Sequence, residues 1–148
     1  MRTIRVGNGC GFWGDNLDAP VRLAEAGGLD YLTLEYLAEL TLSILAHQRQ
    51  RDPAAGYATD FVDVLRRLVP FLREQPRLRI VTNAGGMNPL GCAQAARTAL
   101  DEAGLAGVRI GVVTGDDVLD RLPELIRAGH RFSHLDTGAP LEPLLSRV

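Results

Sequence analysis

Apolar positions along the chain gather into four short β-branched or aliphatic runs, Thr3 to Val6, Leu29 to Leu34, Leu78 to Thr82 and Val108 to Thr114. They are nearly continuous, with little strict alternation, which is how strands covered by helices on both faces read. Helical patterns separate them. The first starts near Asp18, a good N-cap, carries Pro20 in its first turn and closes at Gly27-Gly28. The second runs from about Tyr36 to Arg51 with Leu37, Leu40, Leu42, Ile44 and Leu45 inward, and ends before Asp52-Pro53. A third follows Thr59 or Asp60 through Phe61, Val64, Leu65 and Leu68. A fourth starts at Pro89 and ends at Gly104, and a fifth runs through Val118, Leu122, Leu125 and Ile126 to Gly129. Arg131 to Leu135 is a weak fifth strand candidate. The β-α-β-α alternation predicts an α/β fold: a parallel, Rossmann-like sheet of four to five strands with right-handed crossovers and helices on both faces.

At 148 residues the chain has the length of one domain, and four or five strands suit either a compact doubly wound domain or the first half of something larger. The apolar fraction of 46% and charged fraction of 23% are those of a globular protein, not a disordered one. A net charge of -2 offers no basic face for a nucleic acid. All sixteen basic residues are arginine. Without lysine the chain cannot supply a Walker-type phosphate loop or a Schiff base, so any anion must be held by arginine, backbone N–H groups or helix N-termini. Two cysteines, Cys10 and Cys92, do not make a disulfide framework, and no apolar run approaches the roughly 20 residues of a membrane span. These features predict a cytoplasmic protein with no membrane partner.

In a parallel α/β sheet, ligands bind beyond the carboxyl ends of the strands. That rule places four segments together: Gly7 to Asp15, Glu35 to Glu39, Asn83 to Gly91 and Gly115 to Asp117. Gly9, Gly11 and Gly14 satisfy G-x-G-x-x-G after a strand, with Glu35 where an acid would meet a ribose. However, Asp18 and Pro20 start the helix four to six residues after Gly14, and Trp13 is bulky where a backbone should approach pyrophosphate. NAD and FAD are therefore not expected. The glycines instead serve tight turns or let a different ligand approach closely. Asn83, Gly85, Gly86 and Asn88, before a helix start, suit a phosphate or carboxylate, or else a tight turn held by local asparagine bonds. Among the carboxylates at strand ends, Glu35, Asp116 and Asp15 are candidates for acid and base roles, while Glu39 and Asp117 suit solvated first turns of helices. His47, His130 and His134 show no metal-ligand spacing, and no metal is expected. Cys10 and Cys92 fall near the converging loops, where burial is the commoner outcome.

Five ordered blocks go beyond the glycine spacing. Gly7-Asn8-Gly9-Cys10-Gly11-Phe12-Trp13-Gly14-Asp15, Leu29 through Glu39, Asp52 through Phe61, Thr82-Asn83-Ala84-Gly85-Gly86-Met87-Asn88-Pro89 and Thr114-Gly115-Asp116-Asp117 resemble the N-terminal part of the acyclic terpene utilisation (AtuA) family. The resemblance implies a bacterial protein of acyclic terpene degradation by way of CoA thioesters. It carries over no catalytic residues. The family's own activity is unassigned, and the leading reading is an enzyme or enzyme part, lyase- or hydratase-like, acting on an acyl-CoA or branched carboxylic acid, with the glycine loops taking an anion, Glu35 or Asp116 handling protons, and no cofactor other than the CoA thioester ligand. A non-catalytic ligand-binding or accessory subunit, and a fragment inactive without its missing C-terminal half, are the other readings. Since the family is longer, the resemblance also implies a single domain over residues 1–148 that is the N-terminal part of a larger one. Leu135, Leu141, Leu144 and Leu145 would then lack cover, with self-association as one outcome.

Overall fold

A computed structural model describes residues 3–147. They fall into two compact units that divide between Val113 and Thr114. The first is an α/β layer with strands β1 (Val6–Cys10), β2 (Tyr31–Leu34) and β3 (Arg79–Thr82), and helices α1 (Asp18–Ala26), α2 (Glu39–Arg51), α3 (Asp60–Glu74) and α4 (Pro89–Glu102). The strands form an open parallel sheet in the order β1-β2-β3. The second unit holds a 3-10 turn over Leu119–Arg121, helix α5 (Leu122–Arg127), a single bridge between Ser133 and Pro140, and a 3-10 segment at Glu142–Arg147.

The sheet is smaller and more one-sided than the apolar runs predict. Gly7, Gly9, Leu32, Leu34, Ile80 and Thr82 share the face that packs on helices, and Leu32 and Leu34 are fully buried there. Their alternates Val6, Asn8, Tyr31, Thr33, Arg79 and Val81 lie on the other face, with Val6 60% and Val81 53% exposed. The strands do alternate; β-branched residues such as Val6 and Val81 occupy open positions and hide the alternation. Within the first unit no helix covers that face, so the expectation of helices on both faces is not met there. The fourth expected strand, Val108 to Thr114, has no strand partner and leaves Val113 93% exposed, while Arg131 to Leu135 contributes only its one bridge.

β1 also runs later than expected, through Gly7 and Gly9 to Cys10, so these glycines are strand residues and not turn residues. A Cβ on Gly9 would lie 2.9 Å from Pro20 Cα, and one on Gly7 would lie 2.8 Å from a Leu29 methyl. The glycines let α1 lie directly on β1, and the backbone flexibility they cost is recovered in that close packing. In α1, Leu17 occupies the N-cap position and Asp18 is the first helical residue; its carboxylate pairs with Arg67 of α3 instead of capping. Gly27 and Gly28, both with positive φ, end the helix as expected.

α3 supplies most of the core. Phe61, Val64, Leu65 and Leu68 recur at three- and four-residue spacing and are buried against Leu32, Leu34, Tyr36, Cys92, Ala96 and Leu100. Each such side chain contributes roughly 1.5–3 kcal/mol relative to full exposure. Pro70 lies inside α3 on its exposed face, and the helix continues past it to Glu74. α2 starts at Glu39, not Tyr36, and buries only Leu45; Leu40 is 72% and Ile44 43% exposed, so the inward-facing stripe expected of it does not form.

Gly9→Ala forces its methyl group into helix backbone and should destabilise the first unit by about 1–3 kcal/mol, the usual cost of overpacking. Gly107, which has open space around it, is the control: Gly107→Ala should stay within about 0.5 kcal/mol of the parent. Urea unfolding of both variants compares the two.

Candidate functional site

Parallel pairing brings the carboxyl ends of β1, β2 and β3 to one end of the sheet, so Cys10-Gly11, Leu34-Glu35 and Thr82-Asn83 emerge there side by side. Asn83 joins two of them. Its Oδ1 accepts the Tyr36 backbone N–H at 2.8 Å, and its Nδ2 donates to Glu35 Oε1 at 2.6 Å. The same Glu35 oxygen accepts the Leu37 N–H at 2.8 Å. Glu35 N–H in turn donates to the Cys10 carbonyl at 3.0 Å, joining the turn after β2 to the end of β1. Glu35 is therefore fixed at one oxygen, while among the described residues Oε2 meets no donor and the side chain is exposed.

Asp15 is used differently. Its Oδ2 accepts the Gly11 N–H at 2.9 Å and its Oδ1 the Asn16 N–H at 2.7 Å, closing the loop after β1 on itself. The Gly11 bond, then the Asn16 bond, hold this carboxyl below the usual carboxylate range. Gly14, at φ +93°, adopts a conformation that favours glycine. Asp15 and Gly14 thus shape the loop that follows β1. Gly11 itself has room, since an added Cβ would come only to 3.6 Å from Asp15 Oδ2.

The loop after β3 is strongly self-bonded. Gly86 N–H donates to the Asn83 carbonyl, Met87 N–H to Gly56 and Asn88 N–H to Gly85. Asn88 caps α4 through the Gly91 N–H at 3.0 Å, and its Nδ2 faces the carbonyls of Pro53, Ala54 and Ala55. A Cβ on Gly85 would lie 2.8 Å from Pro89 Cα, and one on Gly86 would collide with Leu45. Gly85, Gly86 and Asn88 lie at the predicted end of the sheet and are engaged in holding α2, the Asp52–Gly56 stretch and α4 together. Asp116 belongs to the second unit, where it is exposed in an extended stretch.

Beneath these loops lies a cluster that sequence reasoning only partly reached. Cys10, Tyr36 and Cys92 are 6%, 1% and 5% exposed. Burial raises the Cys10 thiol above its ordinary value, and the negative charges of Asp15 and Glu35 add to the effect. Burial alone pushes Cys92 up to about 11, and its place in the first turn of α4 does not offset this. The Tyr36 ring packs edge-on to Phe61 with centroids 6.3 Å apart; among the described residues its buried hydroxyl meets no hydrogen-bond partner of good geometry, with the Cys10 thiol close enough to act on its ionisation. Nothing in the sequence marked Tyr36; its neighbours read as the start of a helix. Among the described residues no group of three or more histidines, cysteines or acids is placed to hold a metal ion, and no helix is long and apolar enough to cross a membrane.

Three of the blocks that carry the family resemblance, Gly7–Asp15, Leu29–Glu39 and Thr82–Pro89, thus meet at the strand ends, and the Asp52–Phe61 block is bonded to the last of them. The sequence profile of the acyclic terpene utilisation family protein AtuA matches residues 4–148. This chain belongs to the AtuA family. No curated protein and no solved structure matches it. For this AtuA-family chain, then, the residues brought together at one sheet end are Gly11, Gly14, Asp15, Glu35, Asn83, Gly85, Gly86 and Asn88, with Gly9 inside β1 just before them.

Two outcomes follow from the buried cluster. An orphaned buried hydroxyl costs free energy, so Tyr36→Phe should leave stability unchanged or raise it by about 1 kcal/mol; a loss measured in urea would mean that the hydroxyl has a partner. The native Cys92 thiol holds its proton to about pH 11, while the unfolded thiol releases it near 9.0. Its contribution is therefore complete below pH 9 and is lost as pH rises from there towards 11, by on the order of 1 kcal/mol per pH unit. Denaturation from pH 7 to 11 should show this decline, with a shallower one in Cys92→Ala.

Proposed function

We propose that this AtuA-family chain binds an acyl-CoA or branched carboxylic acid of acyclic terpene catabolism at the carboxyl end of its sheet and serves a lyase- or hydratase-like step there. Glu35 is the proposed proton-handling group. The observation that supports this is the one-sided fixing of Glu35: Asn83 and the Leu37 N–H both donate to Oε1, which orients the carboxylate and leaves Oε2 without a donor among the described residues. A lyase or hydratase step on a thioester needs a base, which a carboxylate can be, that takes the proton on the carbon next to the carbonyl and returns it to the β-substituent as that group leaves. A group oriented by neighbouring hydrogen bonds meets the positional demand of that transfer. Asp15 is the residue that keeps the first loop in shape. The Gly11 and Gly85 loops are the proposed contacts for the anionic end of the ligand, and the absence of lysine leaves that task to backbone N–H groups and arginine.

The competing reading, a ligand-binding accessory subunit, is favoured by the internal bonding of the Asn83–Gly91 loop, which suits a rigid binding surface. Both readings predict binding and they part on Glu35. A thermal-shift series with free CoA, branched acyl-CoA thioesters and the matching free acids should raise the melting temperature for the thioester; a ligand at one hundred times its Kd contributes about 2.7 kcal/mol. Glu35→Gln should keep that shift and abolish conversion of the thioester, followed by mass spectrometry. Conversion at the parent rate removes Glu35 from the chemistry, and no shift with any of the ligands removes the acyl-CoA reading.

A further inference from the structure

The stretch after α4 has the composition of a strand and the surroundings of an undocked one. Residues 109–113 make no backbone hydrogen bond among the described residues and are all exposed. The start of the stretch is nevertheless fixed. Arg97 of α4 donates to the Val108 carbonyl at 2.6 Å and to the Leu105 carbonyl at 3.1 Å, while pairing with Asp101 at 2.9 Å. The chain thereby leaves α4 along a groove lined by Leu72, Leu78, Arg79, Leu105, Val108 and Arg109. Val108 is thus set at the amino end of β3, whose outer edge carries no strand among the described residues.

We propose that residues 108–113 dock as a fourth parallel strand on that outer edge of β3, with Val108 beside Leu78 and Val112 beside Thr82. Three independent features lead to this register. α4 shares the helix-covered side with α3, its residues Cys92, Ala96 and Leu100 lying in one core with Leu68, Leu32 and Leu34; a right-handed crossover through a helix on that side can only deliver the next parallel strand beyond β3. The side-chain pattern then falls into step. Leu78, Ile80 and Thr82 turn to the helices, so Val108, Ile110 and Val112 turn there too, and Arg109 and Gly111 join Arg79 and Val81 on the open face. Finally, Ile110 and Val112, 38% and 39% exposed, would gain cover, and an open strand edge would be closed. The proposal does not depend on any ligand at the strand ends.

Hydrogen–deuterium exchange of the full chain, read by peptide mass spectrometry, tests it directly. Amides 109, 111 and 113, the alternate ones that this register aims at β3, are expected to exchange about 100-fold more slowly than the same sequence in an unstructured peptide, as paired strand amides do. The slowing should survive tenfold dilution. Gly111→Pro, which removes the donor that this register aims at the Ile80 carbonyl, should release residues 109–113 while leaving β1 and α1 protected. Exchange of 109–113 at the unstructured rate in the parent chain overturns the proposal. So does protection that disappears on dilution, because the partner strand would then come from a second copy.

Discussion

Right-handed crossovers taken in one direction are the constraint from which the rest of the first unit follows. β1, β2 and β3 lie in chain order, so each returning helix must fall on the same side, and α1, α3 and α4 do. One sheet face is then sealed by Leu32, Leu34 and the apolar stripe of α3 while the other stays open. The constraint is satisfied locally by glycine. Only a residue without a Cβ at position 9 lets Pro20 of α1 sit against β1, and only a residue without one at position 85 lets Pro89 start α4 where it does. The same one-way order brings three strand ends together, so the candidate site is a direct consequence of topology.

Much of this was legible in the chain. Strands β2 and β3, the helix stops at Gly27-Gly28 and Gly104, the start of α4 at Pro89, and the meeting of Gly11, Glu35 and Asn83 all followed from apolar runs and punctuating residues. What was not legible has identifiable causes. A strand interior made of Gly7 and Gly9 reads as a turn, because glycine's usual meaning is flexibility and the packing that demands it here is a contact with a helix distant in sequence. Val6 and Val81 look like core residues although they face outward, so alternation was hidden and a second helical layer was expected. The leucines of α2 are too irregularly spaced to share a face, and Leu45 alone reaches the interior, against Gly86. Asp18 was read as a cap because its chemistry suits one; a long-range partner, Arg67, claims it instead.

The groups at the strand ends divide by solvation. Cys10, Cys92 and Tyr36 carry the nucleophilic or acidic atoms nearest the core, and burial holds all three in their neutral forms, which for a thiol means the unreactive one. The charges of Asp15 and Glu35 act in the same direction on Cys10, so the two carboxylates that make the site polar also keep its nearest thiol protonated. Covalent chemistry through cysteine is thus opposed by both burial and charge.

That leaves the carboxylates, and their hydrogen bonds separate them in turn. Asp15 has a backbone N–H on each oxygen, which favours the ionised form and ties it to the shape of its own loop; moving a proton onto it would break the turn it closes. Glu35 has both of its donors on one oxygen, and one of them, the Asn83 amide, is itself held by the Tyr36 backbone N–H. Protonation at Oε2 disturbs neither bond. Of the two acids at this end of the sheet, Glu35 is therefore the one that can gain and lose a proton without the surrounding loops having to rearrange, which is the property a group must have to do so once in every turnover.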